Sequence, residues 1–114
     1  MKVAFGSFEL DTDAVELREL GQPVPLEPKV FDVLAYLVRH RDRVVPKEEL
    51  LDELWGGRFV SESALSSCIR HVRRVVGDDG SAQRFVRTAH GRGYRFVAPV
   101  IDAAPDASAA PRWA

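Results

Sequence analysis

The spacing of apolar residues changes character three times along this chain. Over residues 3–26 they come in short pieces broken by turn signals. Val3, Phe5, Phe8 and Leu10 lead into Asp11-Thr12-Asp13; Val15 and Leu17 follow; Gly21-Gln22-Pro23 then precedes Val24 and Leu26. Such alternation predicts an antiparallel meander of about three strands, which is marginal without a helix to pack on. From Pro28 the spacing becomes helical. Proline suits the first helical position, and Phe31, Leu34, Ala35, Leu37 and Val38 keep one face through about His40. Val44 and Val45 read as a brief extended link. A second helix is predicted from near Pro46, burying Leu50, Leu51, Leu54 and Trp55 and ending at Gly56-Gly57. Ser61 is placed as N-cap of a third helix, with Glu62 in its first turn and Gly77 as its stop. Strands at about 84–88 and 94–98 return the pattern to alternation, joined across His90-Gly91-Arg92-Gly93. The order predicts an α+β fold: a helix-turn-helix from the second and third helices, with a hairpin wing behind it. The predicted domain covers residues 1–98, and the Ala/Asp/Ser/Pro-rich residues 99–114 read as a disordered tail.

Stepping 100° per residue from Leu65, the positions Cys68, Ile69, Val72 and Val76 fall within about 60° of it and form a buried face. Ser63, Ser67, Arg70 and Arg74 cluster opposite. Ser66 and Arg73 flank one edge and His71 the other. None of Arg70, Arg73 and Arg74 has an Asp or Glu three or four residues earlier to pair with. A slim polar start and an arginine-rich end suit a helix that enters the major groove, where the arginine fork matches guanine O6 and N7 or a phosphate. The plainer reading is a solvated helix face.

The glycines of the hairpin, Gly91 and Gly93, are expected to supply the positive φ of a tight turn. A dinucleotide-binding reading of Gly-x-Gly fails, because the pattern needs a third glycine and a helix, whereas Tyr94-Arg95-Phe96-Val97 is strand-like. Arg92 beside His90 at the tip suits a minor groove, though a solubilising charge on an exposed turn explains it equally well.

Charge sharpens this picture. The chain of 114 residues has a net charge of −1, yet residues 1–57 hold 7 basic and 12 acidic side chains while residues 58–98 hold 8 basic and 3 acidic. Every basic residue from 58 onward is arginine. This segregation can put a phosphate-binding surface on one side of a nearly neutral protein. One cysteine excludes an internal disulfide framework and fits a reducing cytoplasm. No apolar run approaches the roughly 20 residues of a membrane span, and MKVAFGSFEL lacks the apolar stretch of a signal peptide. His40, His71 and His90 are scattered, so no catalytic constellation, metal cluster or cofactor motif is defensible, and an enzyme is not expected.

These residues carry a resemblance. FGSFELD, GQPVPLEPKVFDVLAYL, VVPKEELLDELW, IRHVRRVVG and FVRTAHGRGYRFVA together resemble the OmpR/PhoB-type winged-helix effector domain of bacterial transcription regulators, over roughly residues 5–98. The resemblance implies a four-stranded N-terminal sheet, with Val24 to Leu26 as its third strand, then three helices and a C-terminal hairpin. It implies sequence-specific binding of double-stranded DNA, with the third helix in the major groove and the wing at the minor groove or its phosphates. Arg70 and Arg73 match positions that touch DNA, Trp55 and Tyr94 match positions facing the phosphate backbone, and Thr88 and His90 match wing positions. His71 and His90 stand where the family often has arginine, leaving Arg92 to supply the wing charge. In some members the connection before the third helix contacts RNA polymerase; here it is the short Gly56-Gly57-Arg58-Phe59-Val60. The family tends to bind direct repeats as tandem copies. The chain begins at the first strand with no room for a receiver domain, so a domain of a longer regulator and a small freestanding one are both open. The rival function is a winged-helix module that binds protein rather than DNA.

Overall fold

A computed structural model describes residues 1–56 and 61–102. Their elements run β1 (Lys2–Phe5), β2 (Phe8–Asp11), β3 (Glu16–Glu19), β4 (Gln22–Pro23), α1 (Pro28–Arg39), β5 (Val45–Pro46), α2 (Lys47–Trp55), α3 (Glu62–Val75), β6 (Val86–Ala89), β7 (Gly93–Phe96) and β8 (Ile101–Asp102). Two compact units hold them: residues 1–26 with those from 98 onward, and residues 27–97.

The first unit is one antiparallel sheet of order β4-β3-β2-β1-β8. Its register explains its burial. Val3 faces Leu10, Phe5 faces Phe8, and Leu10 also faces Leu17. With a side-chain period of two, all five fall on one face, and all are buried. The Phe5 and Phe8 rings stack at 5.9 Å. The other face carries charge, including Lys2–Glu9 at 3.8 Å and Arg18–Glu16 at 2.9 Å.

Three expectations are corrected in this unit. The first apolar run is two strands, because the chain reverses at Gly6–Ser7 between β1 and β2. The strand after β3 is Gln22–Pro23, expected as a turn, while Val24–Leu26 are not a strand. The sheet has five strands because Ile101–Asp102 pair with β1, so ordered structure continues past the expected boundary at 98. Residues 103–114 lie outside the described residues.

In the second unit α1 starts at Pro28, whose missing N–H is harmless at N1. It buries Val30, Phe31, Val33, Leu34, Ala35, Leu37 and Val38. Of the second helix only Leu50 is fully buried; Leu51, Leu54 and Trp55 are half-buried. Gly56 ends α2 in the left-handed conformation. Leu65, Ile69 and Val72 of α3 join this core, and α3 packs on both α1 and α2. Fully burying each such side chain contributes about 1.5–3 kcal/mol. A second sheet of order β5-β7-β6 completes the unit, with β6 at its edge. Helix, strand, helix, helix and hairpin in this order make a winged helix-turn-helix.

Candidate nucleic-acid interface

The 100° arithmetic of α3 holds in three dimensions. Leu65, Ile69, Val72 and Val76 are buried. Ser63, Ser67, Arg70, His71 and Arg74 are exposed. Cys68 is half-buried, and burial pushes its thiol up, away from the reactive thiolate. Ser61 occupies the N-cap, although its side chain makes no capping hydrogen bond. Glu62 instead pairs with Lys47 at 3.3 Å, tying the start of α3 to α2. Among the described residues Arg70 and Arg74 make no ion pair or hydrogen bond through their side chains, so their guanidinium groups are available.

Gly77 ends α3 as expected, and the geometry says why glycine stands there. At φ 76° it lets its own N–H reach the Arg74 carbonyl at 3.2 Å and that of Asp78 reach the Arg73 carbonyl at 2.7 Å. This pair of bonds is a Schellman motif, which satisfies the last carbonyls of the helix. It also delivers Asp78 to a place that nothing in the sequence pattern marks. The Asp78 carboxylate is buried and accepts the backbone N–H groups of Asp79, Arg84, Phe85 and Val86 at 2.7–3.2 Å. Burial alone would raise its pKa, but these donors outweigh burial and hold it below the ordinary carboxylate value.

Arg73 is not free like its neighbours. Its Nε and Nη2 donate to the Val86 carbonyl at 3.1 and 3.0 Å, and Nη2 also donates to Thr88 Oγ1 at 2.8 Å. The Thr88 N–H in turn donates to Gln83 Oε1 at 2.9 Å. Polar groups along the outer edge of β6 are thus occupied by side chains from α3 and the loop after it, which blunts an otherwise open strand edge. A shallow cleft runs beside them, lined by Arg70, Arg73, Arg74 and Gly77 to Gly80.

The wing tip turns through Ala89-His90-Gly91-Arg92, closed by the Arg92 N–H to the Ala89 carbonyl at 2.9 Å. His90 and Arg92 are exposed there, and Thr88 is half-buried. Tyr94 is only 6% exposed and lies on the inner face with Phe96, so its ring belongs to the core. Gly93 is a strand residue, not part of the tip: it pairs with Pro46 of β5. Sequence reasoning also passed over Arg87 and Arg95, which face each other across β6 and β7 and are both exposed. Arg95 Nε reaches the Arg41 carbonyl at 3.1 Å. Their shared parity in the hairpin was the available signal.

Trp55, at the end of α2, is half-buried, with Lys29 Nζ 5.1 Å from its ring centroid. Lys29 also donates to the Leu54 carbonyl, capping the helix end. Gly57, Arg58, Phe59 and Val60, the expected polymerase contact, lie outside the described residues. Among the described residues no His/Cys/Asp/Glu group could hold a metal, and no helix is long and apolar enough to cross a membrane.

The family model for "Transcriptional regulatory protein, C terminal" matches residues 21–96. The transcriptional regulator HilA of Salmonella typhimurium is 37% identical over 106 residues, which is 93% of this chain but only 19% of HilA. Among solved structures, the response regulator DrrB of Thermotoga maritima, an OmpR/PhoB homologue, superimposes with a TM-score of 0.75 at 28% identity, covering 83% of this chain and 43% of that one. The DNA-binding domain of Klebsiella pneumoniae RstA, in complex with the RstA box, gives a TM-score of 0.74 at 25% identity over 83% of this chain and 95% of that one.

Proposed function

Because the chain belongs to the family of OmpR/PhoB-type transcriptional regulatory domains of bacteria, we propose that it binds double-stranded DNA sequence-specifically to regulate transcription. The observation that carries this reading is the exposed face of α3, where Arg70 and Arg74 are unpaired among the described residues, in the same unit as the exposed wing tip. The DNA complex of the RstA domain supports it.

In this reading α3 lies in the major groove, about 12 Å wide. Ser63 and Ser67 keep its leading turns slim, so the helix seats deeply. Arg70 reads a base edge with its fork, while His71 and Arg74 flank it. The hairpin brings His90 and Arg92 to the minor groove, where cation attraction reads groove width. Trp55 and the Lys29 charge beside it approach the phosphate backbone. The domain acts in the cytoplasm, as tandem copies on direct repeats, and the segment before α3 meets RNA polymerase.

Binding to duplex DNA over a series of salt concentrations tests the proposal. Each neutralised phosphate steepens log K against log salt by roughly 0.9, so three or more arginine contacts give a slope of about −3 or steeper. Affinity for duplex that is flat from low to high salt would favour the protein-binding module instead.

A further inference from the structure

We propose that Arg73 and Thr88 form a latch that fixes the wing against α3, which makes Arg73 a positioning residue. The proposal rests on the DNA-binding reading above and assigns a further task to two residues that the family resemblance places on DNA.

The arginines of α3 divide sharply. Arg70 and Arg74 are exposed, with no side-chain hydrogen bond among the described residues, whereas Arg73 is half-buried and commits two nitrogens to three bonds within the hairpin. A guanidinium spread over two acceptors in fixed directions sets an orientation as well as a distance. Both polar backbone groups of Val86 are held from the end of α3. Its carbonyl accepts from Arg73, and its N–H donates to Asp78, which is itself hung from the Arg73 carbonyl. The other strand of the wing, β7, is held separately by β5 through Tyr94–Val45 and Gly93–Pro46, so these attachments bear on the edge strand β6. Thr88, two residues nearer the tip, supplies a third attachment along that edge.

The latch acts on the β6 side of the wing, which carries Thr88 and leads into the tip at His90, while β5 holds the β7 side.

Thr88→Val removes the acceptor while keeping a side chain suited to a strand, and Thr88→Ser keeps the hydroxyl. The duplex is one selected from a randomised pool by the native chain, and protection is mapped in both grooves. Thr88→Val is expected to lower affinity about tenfold, the worth of a charge-assisted hydrogen bond, and Thr88→Ser to restore it to within about twofold. Minor-groove protection by the wing should fall in Thr88→Val, while major-groove protection and the sequence preferred by α3 persist. Arg73→Lys should behave like Thr88→Val, because a point charge cannot reproduce the fork. Equal loss of both protections, no loss of either, or failure of serine to rescue would overturn the latch. Amide exchange in the free protein judges it apart from DNA: hairpin amides should exchange faster in Thr88→Val with α1 unchanged, and unchanged hairpin exchange would overturn it. A native chain that selects no duplex would overturn the DNA reading itself, with the exchange measurement still deciding whether the latch exists.

Discussion

Gly93 runs so close to Val45 that a Cβ at position 93 would lie 2.0 Å from the Val45 carbonyl oxygen and 2.8 Å from its carbonyl carbon. The backbone of β7 can pair with β5 only because nothing projects there, and its φ of 153° adds a conformation that side chains rarely adopt. Gly91, in contrast, has φ 74° and nothing within 4 Å, so its requirement is conformational alone. Gly93→Ala should therefore destabilise the fold by about 3–5 kcal/mol and Gly91→Ala by about 1–2 kcal/mol. Denaturant unfolding of the two variants checks the order, and equal losses would contradict it.

Asp78 should matter more than its place in a polar loop suggests. Asp78→Asn keeps one acceptor oxygen but turns an amide donor toward backbone donors, at a cost of about 2–4 kcal/mol. The folded carboxyl titrates below its ordinary value of 3.8. Its stabilisation is thus complete above that value and is lost as pH falls through the lower folded one. Unfolding measured from neutral to acid pH should show the gap between native and Asp78→Asn chains narrowing below about pH 4.

A second carboxylate reports on the join between α1 and α2. Glu49 accepts two bonds from Arg43, at 2.9 and 2.6 Å, and a third from the Tyr36 hydroxyl. Arg43 first, and Tyr36 second, hold its pKa down to about 2 from 4.5. The stabilisation this shift represents is present above 4.5 and disappears as pH falls through about 2. A carboxyl titration by NMR should find Glu49 well below 4.5, and Arg43→Ala should move it back toward that value without reaching it.

Arg70 and Arg92 should fail differently. Arg70→Ala is expected to cost about 1–3 kcal/mol at the preferred site and to relax one position of it. Arg92→Ala should weaken preferred and unrelated duplexes alike. Competition binding with matched and mismatched duplexes separates the two, and sequence-blind losses for both would remove Arg70 from base reading.

Local periodicity carried much of this fold. Pro28 marked the start of α1, and the 100° step sorted Leu65, Ile69 and Val72 from Ser63, Ser67 and Arg70 without any structure. What the pattern could not carry is pairing between residues far apart in the chain. β8 exists only because Ile101–Asp102 meet β1, and β4 only because Gln22–Pro23 meet β3. Arg73 looked as free as Arg74, since helical spacing records only neighbours three or four residues away. Its partners are Val86 and Thr88, thirteen and fifteen residues on. Tyr94 went the same way: alternation put it with Phe96, but only the folded sheet shows that this shared face is the buried one.

Selection from a randomised duplex pool by the purified chain tests the central claim most directly. The expected result is one enriched motif, bound with a steep salt dependence and altered at a single position by Arg70→Ala. Recovery of no motif above the starting pool, at a salt concentration where the chain still binds duplex, would contradict it.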